Sequence, residues 1–216
     1  VGTGEPNGAS ENEAGLGLYK STDGGNHWDL VPGSVAAAKD RGIGVVSVDP
    51  ANSNHILIGT DVARHGASAT FGGRFTPPGA PPVGLYESTD GGQTFTLTLS
   101  RPSDVVNPNS ANGSDFFKGG VTDLEWDPNA AGVYYLTMFD YGVFKGNTAT
   151  PGTFQQIYTA TPDPAGLGIR YQLSVTDLGN GKTRIYLGEG SNEIQQLVIA
   201  RRQILSLHDV RPDRAG

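Results

Sequence analysis

A twelve-residue segment occurs twice in this chain, and this repetition constrains the fold more than any other feature of the sequence. The first copy, residues 17–28, reads GLYKSTDGGNHW, and the second, residues 84–95, reads GLYESTDGGQTF. In both copies a short apolar stretch leads into Ser-Thr-Asp-Gly-Gly, and an aromatic residue follows three positions later. Self-similarity of this kind indicates that one small structural unit is used repeatedly along the chain.

The repeated segment has the chemistry of a tight hairpin between two antiparallel strands. Ser21 and Asp23 carry side-chain oxygens that can accept hydrogen bonds from the N–H groups of a turn. Gly24 and Gly25 permit the positive φ angles that a sharp reversal requires. We expect Trp28 to begin the returning strand and to cover the hairpin with apolar surface. In the second copy the same roles fall on Ser88, Asp90, Gly91, Gly92 and Phe95.

A second pattern alternates with the first and consists of two apolar strands joined by a tight turn. It occurs three times, around Asp49-Pro50, Asp127-Pro128 and Asn180-Gly181. Asn-Gly is a strong short-range hairpin signal. A further hairpin at 142–154 matches the repeated segment in spacing, with a turn at Thr150-Pro151-Gly152 in place of Ser-Thr-Asp-Gly-Gly. Each unit therefore has four antiparallel strands, which we name A to D in chain order.

Units of four antiparallel strands repeated along a chain predict an all-β fold, here a partial β-propeller of about three to four blades. The 32 glycines and 14 prolines favour turns over long helices. We predict a partial blade at 1–40, blades at 41–118, 119–167 and 168–193, and an uncertain tail at 194–216. In the tail, Leu197-Val198-Ile199 fits a strand and Ile204-Leu205-Ser206-Leu207 fits a short helix equally well.

The number of blades implies that this chain is a piece of a longer protein. Propellers generally close with four to eight blades. We therefore expect that Val1 lies within a longer protein and that the remaining blades lie outside this chain.

The two Ser-Thr-Asp-Gly-Gly turns, each followed by Trp28 or Phe95, resemble the Asp-box, also called the BNR repeat. Over about residues 1–190 the chain resembles the sialidase-like propeller superfamily. That superfamily includes sialidases, xyloglucan-active endoglucanases, sortilin-type receptor domains and photosystem assembly factors. The opening VGTGEPN ahead of the first box looks like secreted bacterial BNR-repeat proteins that are often labelled glycosyl hydrolases. The resemblance implies a secreted or cell-envelope location in a bacterium, and a structural role for the box on the face away from the active site.

The strand order predicts where a ligand would bind, because the B–C and D–A loops return to one face of a propeller. The candidate B–C loops are residues 4–16, 61–83, 139–142 and 188–194. Glycoside hydrolysis needs two carboxylates about 5 Å or about 6.5–9.5 Å apart. The catalytic candidates, one from each of three successive units, are Asp61, Asp140 and Glu189. The binding candidates are Glu5, Arg64, Arg74 and Tyr141. Further polar residues of these loops are Glu11, Glu13, His65 and Glu193. The alternative interpretation is that these residues cap strand ends or face water.

Several other classes of function find no support in the sequence. The net charge is −7 and Arg201-Arg202 is the only basic pair, so we expect no nucleic-acid partner. No apolar run reaches the roughly 20 residues that cross a membrane. The chain has no cysteine, and its histidines at 27, 55, 65 and 208 lack metal-ligand spacing. We therefore expect no metal and no cofactor, and we interpret the histidines as surface or turn residues. The Arg-Ile-Pro signature of sialidases is also absent.

Three functions remain open at this point. The first is a non-catalytic Asp-box propeller that binds a glycan or a protein through its B–C and D–A loop face. The second is a fragment of a xyloglucanase-like glycoside hydrolase that acts through paired carboxylates. The third is a propeller that assembles with a protein partner, and the sequence does not identify the ligand in any of the three cases.

Overall fold

The computed structural model describes residues 1–5, 13–63, 79–101, 119–160 and 170–188, together with the backbone of residues 189 and 195–200. Within these residues lie thirteen strands and one short helix. Their bounds are β1 Tyr19–Lys20, β2 Asp29–Leu30, α1 Ser34–Ala38, β3 Arg41–Asp49, β4 Asn52–Val62, β5 Gly84–Ser88, β6 Thr96–Ser100, β7 Val121–Trp126, β8 Val133–Met138, β9 Gly142–Asn147, β10 Gln155–Thr159, β11 Tyr171–Asp177, β12 Thr183–Glu189 and β13 Gln195–Ala200.

The strands form antiparallel sheets in which each strand pairs with its neighbour in the chain. Strands β3 to β6 make one four-stranded sheet and β7 to β10 make a second. Strands β11 to β13 make a three-stranded sheet, and the pair β1–β2 is extended by a bridge between Gly2 and Leu18. The prediction of an all-β chain with four-stranded antiparallel units is therefore confirmed.

The first strands of successive sheets lie side by side. Strand β7 packs between β3 and β11. The indole Nε1 of Trp126 donates to Ser47 Oγ on β3 at 2.7 Å. The backbone N–H of Leu173 on β11 donates to Asp123 Oδ2 on β7 at 2.6 Å. Neighbouring sheets joined through their first strands are compatible with part of a β-propeller.

Apolar side chains fill the space between successive sheets. Leu57 and Leu85 of the β3–β6 sheet pack with Val121 and Leu136 of the β7–β10 sheet, and all four are fully buried. A second cluster joins the β7–β10 sheet to Tyr171 and neighbouring residues of β11 and β12. Burying a Val or Leu side chain contributes about 1.5–3 kcal/mol, so these clusters hold adjacent sheets together.

The two Ser-Thr-Asp-Gly-Gly turns have almost the same hydrogen bonds. Ser21 Oγ accepts from the N–H of Gly25 at 2.8 Å and donates to Asp23 Oδ1 at 2.8 Å. In the second turn Ser88 Oγ accepts from the N–H of Gly92 at 2.9 Å and donates to Asp90 Oδ1 at 2.8 Å. The side-chain oxygens thus satisfy the turn's own polar groups.

The aspartates of both turns also accept from a backbone N–H four positions later. Asp23 Oδ1 accepts from His27 at 2.9 Å, and Asp90 Oδ1 accepts from Thr94 at 3.0 Å. At Asp90 the Thr94 hydroxyl, which donates to Oδ2 at 2.7 Å, has the larger influence. Together these hydrogen bonds favour the ionised carboxylate and lower the pKa of each aspartate to about 2. The negative charge of each aspartate is therefore stabilised by hydrogen bonds from within its own C–D turn.

The aromatic residue that follows each turn behaves differently in the two copies. Trp28 lies one position before β2, remains 48% exposed, and donates its Nε1 hydrogen to Gly25 O at 3.0 Å. The indole of Trp28 thus lies over the turn with about half of its surface exposed, and strand pairing starts one residue after the predicted position. Phe95, also one position before its strand, packs partly buried against an apolar cluster that includes Val31 and Ile56.

The sequence pattern did not specify two elements of the structure, strand β13 and helix α1. Strand β13 pairs with β12 over its whole length, so the first part of the tail predicted at 194–216 forms a strand. Helix α1 was not predicted, and it places the Ser34 hydroxyl where it accepts from the N–H of Leu18 at 2.8 Å. The predicted blade boundaries at 118 and 167 lie outside the described residues.

Candidate functional site

Asp61 lies within a strand and is fully buried. The β3–β4 ladder continues to its end through the pairs Gly42–Asp61 and Arg41–Val62. The expectation that Asp61 belongs to a loop is therefore wrong, because strand pairing extends beyond the apolar run that ends near residue 60. Glu189 likewise belongs to a strand, where its backbone pairs with Tyr171.

The carboxyl group of Asp61 has one hydrogen-bonded oxygen and one that has no partner. Its Oδ1 accepts from the N–H of Val62 at 2.6 Å, while its Oδ2 is buried without a hydrogen-bond partner. The group packs directly against Gly120 of the neighbouring unit. A Cβ atom at position 120 would lie 2.2 Å from Asp61 Cγ, so only glycine fits there.

Burial determines the protonation state of Asp61. It raises the pKa of the Asp61 carboxyl from its ordinary value to about 8, although Arg170, Arg101 and Arg41 act in the opposite direction. At neutral pH the group is therefore mostly an uncharged carboxylic acid. In that form it can donate a hydrogen bond as well as accept one.

Three arginines are near enough to lower the pKa of this acid, and all lie at the same end of their sheets. Arg41 is the first residue of β3, Arg101 directly follows β6, and Arg170 directly precedes β11. The starts of A strands and the ends of B and D strands lie at one edge of such antiparallel units. We call Asp61 with these three arginines the Asp61 cluster.

The arginines of the Asp61 cluster differ in how they are held. Arg41 is only 4% exposed and donates its Nε hydrogen to Pro81 O at 2.6 Å, and burial lowers its pKa to about 10. Arg101 is half-buried, and its Nη1 is a buried donor with no hydrogen-bond partner. Burial also lowers the pKa of Arg101, whereas Asp61, when it is ionised, favours the charged form of this arginine.

Two tyrosines lie beside the cluster. Tyr86 donates its hydroxyl hydrogen to Pro82 O at 2.7 Å, and burial raises its pKa. Tyr141, one of the predicted binding residues, lies between β8 and β9 and is close enough to Arg101 to affect the pKa of that arginine. The structure therefore brings Asp61 and Tyr141 into the same region.

The remaining candidates lie in turns or loops. Asp140 lies in the turn between β8 and β9 with a φ of 64°, next to Phe139, whose N–H donates to Gly120 O at 2.8 Å. Glu5 is exposed, and its backbone N–H donates to Glu13 O at 3.0 Å. Candidates that lie outside the residues whose side chains are described are Arg64, Arg74, Glu189, Glu11, His65 and Glu193.

The sequence interpretation missed Arg41, Arg101 and Tyr86. Both arginines lie at the very end of a strand, so the sequence signal that could have identified them is a charged residue next to a predicted strand end. That signal requires accurate strand ends, and the apolar pattern alone placed the start of strand A at Gly44.

A second polar cluster lies at the other end of the same sheet, near the A–B turn. His55 is 4% exposed; its Nδ1 lies 3.4 Å from Asp49 Oδ2 and its Nε2 contacts Glu87. The interpretation of His55 as a surface or turn histidine is therefore wrong. Trp126 of the next sheet packs edge-on against the imidazole, with ring centroids 6.4 Å apart. His55, Asp49 and Glu87 belong to the β3–β6 sheet, whereas Trp126 belongs to the β7–β10 sheet. The cluster therefore links the two sheets.

The described part of the chain contains neither a membrane-spanning helix nor a cluster of metal ligands. None of its helices is long and apolar enough to cross a membrane. Nor do these residues include a group of three or more His, Cys, Asp or Glu side chains placed to hold a metal ion.

Comparison with known proteins gives a distant structural likeness alone. No protein-family description and no curated protein matches the chain. Among solved structures it is similar to the GH74 xyloglucanase from Xanthomonas campestris, with 18% sequence identity and a TM-score of 0.46. The similarity covers 84% of this chain and 27% of that chain, so this chain spans about a quarter of the enzyme's length. A likeness at this level assigns no activity, substrate or site residue.

Proposed function

We propose that this chain is part of an Asp-box β-propeller that binds a glycan, without cleaving it, on the face formed by the Asp61 cluster. The observation that carries the proposal is the convergence of a buried uncharged acid and three arginines at one end of the sheets. Binding sites commonly combine a largely preformed surface with a few polar groups that fix the ligand's orientation.

The two ends of the sheets carry different sets of polar groups. At the C–D turn end, Ser88 and Asp90 use their side-chain oxygens within the turn. At the other end, Asp61 Oδ2 and Arg101 Nη1 are buried without partners. Buried polar groups are normally hydrogen-bonded, and Glu87 Oε2 near the C–D turn is also buried without a partner, so the arginines are what favour the Asp61 end as the ligand-binding end. Tyr141, next to Arg101, supplies an aromatic ring of the kind that packs against sugars.

The test is a glycan array probed with the 216-residue chain, followed by titration calorimetry of the glycans that bind. Arg101→Gln should weaken binding at least tenfold, because it removes a charged donor from the face. Lys182→Gln is the matched control, since it makes the same charge change on the exposed A–B turn at the opposite end. Failure of every glycan to bind, or equal binding by the Arg101 variant, would contradict the proposal. A protein that co-purifies while no glycan binds would favour the assembly function instead.

A xyloglucanase-like glycoside hydrolase is the second candidate, and one observation favours it. The raised pKa of Asp61 is the property expected of a general acid. Against it, the charged groups named as affecting the pKa of Asp61 are arginines rather than a second carboxylate. Release of reducing sugar that is lost in Asp61→Asn and in Asp140→Asn would establish this function.

The proposed location is the cell exterior or envelope of a bacterium. This proposal rests on the resemblance of the two turn segments and the opening residues to secreted BNR-repeat proteins. Fractionation of the native host, with detection by an antibody against the chain, tests it. Recovery only with the cytoplasmic proteins would contradict it.

A further inference from the structure

Two equivalent hairpins of this chain differ in how far they are covered. The pair Tyr19–Leu30 of β1–β2 and the pair Tyr86–Leu97 of β5–β6 occupy the same place in the repeat. Tyr86 is 5% exposed, whereas Tyr19 is half-buried. The aromatic residue after each turn shows the same difference, since Trp28 is more exposed than its counterpart in the second copy. The β1–β2 hairpin therefore has an open apolar face.

The β5–β6 hairpin is covered by the unit directly before it in the chain. Val31 and Ala38 of that unit pack in the cluster that contains Tyr86. The N–H of Gly33 donates to Gly92 O at 3.2 Å, and a Cβ atom at Gly92 would lie 2.4 Å from Val31 Cγ1. The chain that follows β2, including α1, therefore seals the hairpin of the next unit.

The open face continues onto β3. Strands β3 and β7 have the same register shift near their first residues, so Val46 and Val48 take the places that Leu124 and Trp126 have on β7. On β7 these side chains pack toward β3, and Leu124 is 5% exposed. On β3, Val46 is 39% exposed and Val48 is 46% exposed. A contiguous apolar surface of this kind is typical of an interface.

The packing of the other units identifies what covers this surface. The β7–β10 sheet packs against the β3–β6 sheet, and the β3–β6 sheet packs against the unit at 1–40. In repeat proteins each unit buries its apolar faces against its neighbours in the chain. We propose that the open face packs against a further four-stranded unit of the same repeat, joined to the chain ahead of residue 1. Strand A of that unit lies beside Val46 and Val48, and the chain after its strand D covers Trp28.

The far side of the described part of the chain does not fit the open face. Strand β11 exposes Gln172, Ser174 and Thr176 on that side. A second copy of the chain stacked head to tail would therefore place polar side chains on an apolar surface. The partner is a unit with apolar side chains at these positions, and the inference is independent of glycan binding.

The phase of the added unit follows from two threonines. Thr60 Oγ1 accepts from the N–H of Gly84 at 3.0 Å, and Thr3 Oγ1 accepts from the N–H of Gly17 at 3.0 Å. Each threonine thus holds the first glycine of a repeated segment. The first three residues of the chain therefore correspond to residues 58–60.

The test is an extended chain in which a copy of residues 1–57 is placed directly ahead of Val1, with Trp28→Phe in the added copy. The addition supplies a strand A and a helix α1 in phase. We expect quenching of the original Trp28 by iodide to fall by at least half, because the added unit shields the indole, and the midpoint of urea unfolding to rise. Trp126 contributes equally to both proteins.

The matched control adds residues 1–58, one residue more. A slip of one residue turns alternate side chains of a strand to the opposite face, so this control should leave Trp28 as exposed as in the 216-residue chain. Val46→Asp gives a second measurement. It should change the urea midpoint little in the 216-residue chain and lower it clearly in the extended chain, where strand A covers Val46.

Four results would overturn the inference. They are unchanged iodide quenching in a folded extended chain, equal shielding by the out-of-phase control, equal effects of Val46→Asp in both proteins, and a dimer of the 216-residue chain that shields Trp28. If the extended chain does not fold, hydrogen exchange in the polypeptide purified from its native source decides. Protection of β1–β2 equal to that of β5–β6 supports the inference, and exchange as fast as in the 216-residue chain overturns it.

Discussion

Replacing Asp61 by asparagine should remove a strong pH dependence from the stability of this chain. The side chain is fully buried, and its pKa is raised from 3.8 to about 8. Because the folded state holds this proton more tightly than the unfolded state, the stabilising effect is complete below pH 3.8. It is lost progressively as the pH rises to about 8. Asparagine has nearly the same shape and stays neutral at all these pH values.

The magnitude follows from the size of the pKa shift. One pKa unit corresponds to about 1.4 kcal/mol, so a shift of roughly four units amounts to about 6 kcal/mol as an upper value. This is comparable with the whole free energy of unfolding of many domains, about 5–15 kcal/mol. Between pH 5 and pH 7.5 the wild type should therefore lose about 1.4 kcal/mol per pH unit relative to Asp61→Asn.

Urea denaturation at pH 5, 6, 7 and 8.5, followed by tryptophan fluorescence, measures this difference. Trp126 packs against the β3–β6 sheet and reports on unfolding of the sheets around Asp61. Comparing the two proteins at each pH cancels the contribution of every other titrating group. If the two free energies of unfolding run parallel from pH 5 to 8.5, Asp61 is ionised in the folded protein and the reasoning about its neutral form is wrong.

Three further substitutions test other parts of the structure. Gly120→Ala should lower the free energy of unfolding by at least about 2 kcal/mol, because a Cβ there would collide with a buried carboxyl; wild-type stability in urea would contradict this packing. Ser88→Ala should cost about 1–3 kcal/mol and the matched Ser21→Ala clearly less, because Ser88 is 1% exposed whereas Ser21 lies in an exposed turn; equal losses in thermal unfolding would refute the distinction. Glu87→Ala should cost about 1–3 kcal/mol by leaving the buried imidazole of His55 without one of its partners, and unchanged denaturation would show that this contact contributes nothing.

Local sequence was sufficient to predict most strands and turns. As the second pattern predicts, the Asp127-Pro128 turn lies between β7 and β8, and the Asn180-Gly181 turn lies between β11 and β12. Gly24 and Gly25 adopt φ angles of 73° and 95°, as the turn chemistry requires. These features depend on side-chain alternation and on backbone preferences within a few residues, and both can be read directly from the sequence.

The site depended on contacts that local sequence does not encode. Arg41, Asp61 and Arg101 lie at one end of the sheet only because the order β3-β4-β5-β6 places the start of β3 and the ends of β4 and β6 at the same edge. The burial of Asp61 depends on Gly120, which belongs to the next sheet. Asp61, which was predicted to lie in a loop, is therefore an uncharged group within a strand.

The sequence by itself determined the repeating antiparallel hairpins, since turn chemistry and apolar alternation act over short distances. Which polar side chains are buried away from solvent was determined only by the tertiary structure. His55 shows this most directly, because a histidine that looked like a turn residue lies between Asp49 and Glu87 and packs against Trp126 of another sheet. Solvent exposure, and with it the protonation state of a group such as Asp61, depends on every element packed around it.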